Sequence, residues 1–400
     1  MHGWVSAWSY RTLDFRLFQT LVGDETQRVM LKNNVNGSRV RLRFSNEYGV
    51  EPLCFEGITL GISRDMITSE VNQSVAVTFG GKRELMLEAN AQAVSDEIPF
   101  EIHAGENLCV TTYMAQKCLI TSGCTCYPQP ISRVYNSPSG DFRKDAYFPV
   151  RPQGEYFRPV KDEPEVSFIY GLNRVDVFSC EDVKTITCFG DSITHQSKWT
   201  GAFADRIYRA YPGKCTLLNC GIGGNRILHD AYALSSYGGL FGAAGIKRFE
   251  QDVFGADTPV DLVIVLEGVN DLLHPTAHYA PASQTVTDKA LIEGLSQYAA
   301  ICRARHTPIF ACTLMPFYNF INCWDVSMED KRQCVNAWIR TSGAFDGYLD
   351  FDLFVRDPQD HKRICAAYDS GDNIHPSQGG GIHIAYSINP AALIKAVTAH

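Results

Sequence analysis

Ser192 closes the tripeptide Gly190-Asp-Ser192, directly after the apolar run Thr185-Ile-Thr-Cys-Phe189. A strand that ends in a glycine-flanked serine delivers a hydroxyl to the edge of a sheet. Serine is a weak nucleophile at its own pKa and needs a base within hydrogen-bond reach. Near the C-terminus the chain offers one in Asp372-Asn-Ile-His375. The D-x-x-H spacing can put both side chains on one turn. Asp372 would then accept the imidazole's other N–H, fix its tautomer and stabilise the imidazolium during attack. Asp369 is the alternative carboxylate; its other role would be to cap a turn before Gly371.

A tetrahedral intermediate needs donors aimed at its oxyanion. The chain supplies the backbone N–H of Ser192, a backbone N–H within Gly221-Ile-Gly-Gly224, and the side-chain amide of Asn270 in Glu267-Gly-Val-Asn-Asp271. Glycine lets a backbone donor approach a ligand closely, and Gly223 and Gly224 are both able to donate. Asp191 and Asp271 flank these groups and read as loop anchors, not as acids or bases. His195 falls in the first turn of the helix expected after Ser192 and is given no catalytic role. His274 and His278 have the i, i+4 spacing of a metal pair, but Pro275 stands between them and no third ligand is evident. They read as part of a surface loop, and neither a metal nor a cofactor is expected. No G-x-S-x-G occurs, which counts against an α/β-hydrolase elbow.

The elements that must position these residues alternate between strand and helix. Strands are expected at Thr185–Phe189, Cys215–Cys220, Asp261–Leu266, Pro308–Leu314 and Tyr348–Phe351. Helices are expected at Trp199–Tyr211, where apolar residues recur every four positions, and at Asp288–Arg305 and Met328–Thr341. Such alternation implies a five-stranded parallel sheet covered on both faces. Right-handed crossovers bring every strand's C-terminal end to one edge, where ligands bind. Ser192, Gly223, Gly224 and Asn270 all follow strands, so topology gathers them on that edge.

Residues 1–180 have a different pattern. In Ser38-Arg-Val-Arg-Leu-Arg-Phe-Ser45, Val40, Leu42 and Phe44 alternate with Arg39, Arg41 and Arg43, the period of a half-buried strand. Short runs at Ile58–Ile62, Val75–Phe79, Ile98–Ile102, Leu108–Tyr113 and Val166–Tyr170 follow, punctuated by Gly, Asn and Pro. An antiparallel β-sandwich of jelly-roll type is expected, joined near Ser179–Lys184 to a catalytic domain over 181–400. The three arginines are expected to meet solvent or neighbouring carboxylates. The aromatic stretch from Tyr147-Phe148 to Tyr156-Phe157 reads as packing in a connector, with a substrate wall as the alternative.

The 400 residues are enough for two domains, and the net charge of −8 argues against nucleic acid or an acidic lipid surface as partner. No run of about 18 apolar residues exists. The N-terminus lacks the basic start and apolar stretch of a secretory signal. The 14 cysteines include no C-x-x-C, and several, such as Cys188, Cys220 and Cys312, sit inside apolar runs. Free cysteine behaves as a small buried hydrophobe, so a reduced, cytoplasmic protein is expected. The sequence does not set the oligomeric state, and a homo-oligomer is compatible with it.

The four blocks resemble those of the SGNH, or GDSL, hydrolase family. Gly190-Asp-Ser-Ile193 is similar to its first block, Asn219-Cys-Gly-Ile-Gly-Gly224 to its second, Gly268-Val-Asn-Asp271 to its third and Asp372-Asn-Ile-His375 to its last. The resemblance implies a flavodoxin-like α/β/α domain, Gly224 as the oxyanion glycine, no metal, and carboxylic-ester hydrolysis through an acyl-enzyme. Bacterial two-domain members carry an N-terminal β-domain similar to residues 25–180, and share stretches like Asn336–Gly343 and Ala367–Asp372. One departure is Gly379-Gly-Gly381, which puts in doubt where the last helix begins. The expected substrate is a small-molecule or oligosaccharide ester, foremost an acetylated carbohydrate. A lipid ester or thioester with the same triad, and an inactive binding protein, are the alternatives.

Overall fold

The computed structural model describes residues 3–127, 131–151 and 166–398. Contacts divide the chain into two units. One takes in the described residues up to Val183 together with Tyr208–Thr216; the other takes in Lys184–Ile207 and the described residues from Leu217 on.

The first unit is built from antiparallel sheets. In one, strands Gly3–Ser9, Gly171–Ser179, Gly37–Ser45 and Gln92–Val94 lie in that order, with Ile98–Ile102 also pairing with Gly37–Ser45. In another the order is Ser132–Ser139, Glu25–Lys32, Asn107–Met114, Gly57–Ser63 and Asn72–Ala76. The alternation in Gly37–Ser45 is realised: Val40, Leu42 and Phe44 are fully buried. On the other face Arg41 and Arg43 each place Nε on buried Asp176, at 2.9 and 2.8 Å, and Arg39 pairs with Glu97. The run expected over Val75–Phe79 pairs instead at Asn72–Ala76, and Phe79 turns back to bridge Lys82. This edge strand is exposed, so its apolar residues do not mark where pairing begins.

All but Cys215 and Thr216 of a five-stranded parallel sheet lies in the second unit. Its strands are β1 (Lys184–Gly190), β2 (Cys215–Gly221), β3 (Leu262–Leu266), β4 (Ile309–Cys312) and β5 (Gly347–Leu349), in the order β2-β1-β3-β4-β5. Every residue of β2 and β3 is buried, as expected for a sheet covered on both faces. The helices are α1 (Ser192–His195), α2 (Lys198–Ala210), α3 (Gly245–Phe254), α4 (Val269–Leu273), α5 (Asp288–Ala304), α6 (Val326–Thr341), α7 (Phe351–Val355), α8 (Gln378–Ser387) and α9 (Pro390–Thr398). The order 2-1-3-4-5 is flavodoxin-like, and its ligand crevice opens between β1 and β3, where the winding reverses. Ser192 follows β1 and Asn270 follows β3.

The glycines after His375 do not delay the last part of the chain. Helix α8 runs through Gly379–Gly381, and the Ser377 side chain caps it by accepting the Gly380 N–H at 3.0 Å. A Cβ at position 380 would lie 2.3 Å from Tyr368 O, and one at 381 would lie 2.4 Å from the backbone of Lys198. Close packing, not flexibility, accounts for Gly380 and Gly381.

Candidate active site

The Gly190–Ser192 block is held by its own residues. Asp191 is extended, and its Oδ1 accepts the N–H of Ile193 at 3.0 Å, so it caps α1 and makes Ser192 the first helical residue. His375 arrives from the loop before α8. Its Nε2 lies 2.8 Å from Ser192 Oγ, and its Nδ1 lies 2.6 Å from Asp372 Oδ2. The other Asp372 oxygen accepts backbone N–H groups from His375 at 2.9 Å and Ile374 at 3.0 Å. Burial raises the Asp372 pKa, but the His375 ring and these backbone donors outweigh it and hold the carboxyl well below the usual carboxylate range. An ionised carboxylate only accepts, so Nδ1 carries the proton and Nε2 is left to accept from the serine hydroxyl. Asp369 takes the other part considered for it: its Oδ1 accepts from Gly371 N and Asn373 N within a turn.

The glycine block folds over the same edge. Ile222 N donates to Gly190 O at 3.0 Å, and Gly223 N donates to Nδ1 of buried His195 at 3.2 Å. The Gly223 donor is therefore engaged. The N–H groups of Ser192 and Gly224 donate to no group among the described residues. Gly224 has φ +72, and a Cβ there would lie 2.1 Å from the Phe241 ring, so only glycine fits. The Asn270 amide donates one N–H to Asn225 O at 3.0 Å and keeps a second. His195 thus has a task that the sequence did not suggest: it orients the glycine loop. Its position three residues after Ser192, on the face turned toward β2, was the available signal.

Two carboxylates anchor loops beneath the site. Asp271 accepts from Ile227 N at 2.7 Å and Leu228 N at 3.0 Å, and burial pushes its pKa up to about 7. Burial likewise raises Asp191 well above its ordinary range. The reading of the histidine pair needs correction. His278 is exposed at a left-handed turn, but His274 is buried, with its ring 5.0 Å from that of Phe241 and 5.5 Å from that of Tyr279. Burial pushes its pKa down to about 3, so it packs as a neutral ring. Among the described residues, no group of His, Cys, Asp or Glu could hold a metal ion.

Aromatic side chains stand on both sides of these groups. Half-buried Tyr237 stacks on Phe241 at 4.7 Å, and Tyr279 meets Tyr237 edge-on at 5.3 Å, next to Gly224. Half-buried Phe320 presents its edge to the His375 ring at 6.4 Å. Its loop contains three left-handed residues, Asn319, Ile321 and Asn322. Of the aromatic stretch that the sequence singled out, Phe148 is fully buried and Tyr147 is exposed, while Tyr156 and Phe157 lie outside the described residues.

Residues 188–380 match the GDSL-like Lipase/Acylhydrolase family. This segment belongs to that family. Solved structures similar to the chain include a GDSL-like lipase from Bacteroides thetaiotaomicron, 18% identical, with 54% of this chain and 88% of that one covered at a TM-score of 0.36. Another is a carbohydrate acetylesterase family member from Sinorhizobium meliloti, at 14% identity, 55% and 100% coverage and a TM-score of 0.40. A third is a catalytic mutant of an acetylxylan esterase from Geobacillus stearothermophilus, at 18%, 54% and 94%, and 0.39. At such identities a substrate does not transfer. No curated protein matches the chain. Among the described residues, no helix is long and apolar enough to cross a membrane.

Proposed function

We propose that the protein is a serine carboxylic-ester hydrolase working through an acyl-enzyme. The observation that carries this is the Ser192–His375–Asp372 chain of hydrogen bonds, 2.8 and 2.6 Å long, at the crevice edge of the sheet. Ser192 Oγ attacks the ester carbonyl carbon while its proton passes to His375 Nε2. Asp372 stabilises the imidazolium through Nδ1–H and is not itself protonated. The carbonyl oxygen becomes an oxyanion that accepts from Ser192 N–H, Gly224 N–H and the second N–H of Asn270. Collapse expels the alkoxide, which takes the proton from Nε2 and leaves as the alcohol. Water then attacks the acyl-serine, giving its proton to Nε2, and the acid departs as Ser192 is reprotonated.

The finer reading is removal of a short acyl group, acetyl foremost, from a carbohydrate. The leaving oxygen has to lie within reach of His375 Nε2, so the alcohol half of the substrate meets the loop of Phe320. A half-buried ring there supports a sugar, whose C–H faces stack on aromatics. The interlocked rings of Phe241, Tyr237 and Tyr279 beside Gly224 support a short acyl group, because they make a stiff wall and not a channel. A cytoplasmic location belongs to the same proposal and rests on the cysteines placed inside strands, Cys188, Cys220 and Cys312 among them.

Ser192→Ala is expected to abolish turnover of an aryl acetate, and wild-type turnover in that variant would refute the mechanism. In a series of aryl esters from acetyl to decanoyl, the specificity constant should peak at acetyl. A maximum at eight carbons or more would replace the carbohydrate reading with a lipid ester.

A further inference from the structure

The donors assigned to the oxyanion come from three loops that are far apart in sequence, and one buried side chain touches all three. Arg248 projects from α3 with its side chain only 6% exposed. Its Nε donates to Asn225 Oδ1 at 2.7 Å. Nη1 donates to Cys220 O at 2.9 Å and Asp252 Oδ2 at 2.7 Å. Nη2 donates to Gly190 O at 2.9 Å and Glu267 Oε1 at 3.4 Å. These use all five guanidinium N–H groups. Its Cζ lies 3.9 Å from the centre of the Phe189 ring. Gly190 precedes Asp191-Ser192, Cys220 and Asn225 bracket the glycine loop, and Glu267 precedes Gly268–Asn270.

Asn225 passes this order on to the site. It is fully buried. Its Nδ2 donates to Phe241 O at 2.6 Å and Ala243 O at 2.8 Å, and its carbonyl accepts the Asn270 amide at 3.0 Å. The bond from Asn270 to Asn225 O decides which of the two Asn270 N–H groups remains for a ligand and where it points. Asn225 also directly follows Gly224, so fixing one fixes the other. The Asp252 and Glu267 carboxylates hold the guanidinium in register, and the Tyr298 hydroxyl donates to Glu267 at 2.6 Å.

We infer that Arg248 and Asn225 are positioning residues for the oxyanion donors: Arg248 locks the Asn225 side chain, and Asn225 holds Gly224 N–H and the Asn270 amide in the geometry of the transition state. Neither touches substrate. The inference rests on the ester-hydrolase reading above. An oxyanion hole works because its donors need not reorganise when charge appears, so loosening them lowers kcat and leaves substrate binding largely alone. Lysine does not replace Arg248, because three donors on one nitrogen cannot span acceptors in three loops.

The test compares full-length Asn225→Ala, Arg248→Lys and Asn270→Ala, and the double variant Asn225→Ala/Asn270→Ala, on an aryl acetate. Asn225→Ala and Arg248→Lys should each lower kcat by roughly 10–10²-fold with KM within about twofold and an unchanged pH profile, less than the ~10²–10³ for losing the Asn270 donor itself. In the Asn270→Ala background, Asn225→Ala should cost much less than it does alone, because part of what it positions is gone. A kcat for Asn225→Ala within twofold of wild type overturns the inference, as does an effect that multiplies independently with Asn270→Ala. Asn225→Ala keeps the proposal testable if Arg248→Lys fails to fold. Ser192→Ala, run alongside, separates the two failures: lost turnover there with intact Asn225→Ala sinks only the positioning role, whereas retained turnover sinks the hydrolase reading.

Discussion

Arg28 in the first unit and Arg248 in the second are both buried, and they are satisfied in different ways. Among the described residues, Arg28 donates to no carboxylate. It donates to the carbonyls of Ser69, Phe142, Asp145 and Ala146 and to Thr111 Oγ1, and it lies over the Phe148 ring. Burial lowers its pKa, and the carbonyl oxygens carry the cation. Arg248 is paired with Asp252 and Glu267 as well as with carbonyls. The first arrangement ties surface loops to a strand. The second gathers three loops whose remaining donors face outward. Buried polar bonding is thus spent on holding shape in one region and on aiming free groups in the other.

That contrast is open to attack by substitution. The largest effect should come at the triad. Asp372→Asn is expected to cut kcat by roughly 10⁴, because the histidine loses its fixed tautomer, while the melting temperature moves little. Steady-state kinetics beside calorimetry would check this, and an equally large loss of stability would erase the distinction between the regions. In the first unit Arg28→Met should do the reverse. Stranding its carbonyl partners is expected to cost about 3–5 kcal/mol of stability, with kcat per folded molecule retained. Urea unfolding gives the first quantity and active-site titration the second.

A smaller effect concerns pH. Burial holds His274 neutral in the folded state, with its pKa pushed down from 6.5 to about 3. Between these values the unfolded chain binds the extra proton, so stability contributed by the neutral ring is lost as pH falls, at up to about 1.4 kcal/mol per unit. Asp271 acts in the opposite sense up to about 7, since its raised pKa favours the folded state at low pH. The difference between wild type and His274→Phe isolates the histidine: the variant should lose less stability between pH 6 and 4, by thermal melts. If the two profiles are parallel, His274 is not held neutral. The smallest effect is expected at Arg39, whose partner Glu97 is exposed. Arg39→Ala should change stability by no more than about 0.5–1 kcal/mol.

The sequence exposed what is local and repetitive. Val40, Leu42 and Phe44 announced a half-buried strand because alternation is a property of neighbours. The Asp372–His375 spacing was legible for the same reason, since one turn contains it. Arg248 was not legible. Its partners run from Gly190 to Glu267, and nothing near Arg248 in the chain marks it. Arg28 was hidden too, because the strand Glu25–Lys32 is buried on both faces and shows no alternation. His274 was read as surface because its spacing to His278 is local, whereas the rings that bury it come from elsewhere in the fold. The run of glycines at 379–381 looked like slack because composition reports conformational freedom and says nothing about what presses against a backbone.

Gly381 acts as a gauge block for the distance between Ser192 and His375. Ser192 and His375 lie 183 residues apart in the chain and meet at 2.8 Å. The segment that carries His375 is seated where Gly381 rests directly on the backbone of Lys198, six residues beyond the serine. No side chain intervenes to flex or adopt another rotamer, so the separation is set by main chain against main chain. One added methyl at 381 would act as a shim, and a misplacement of about 1 Å can cost on the order of 10²-fold in rate.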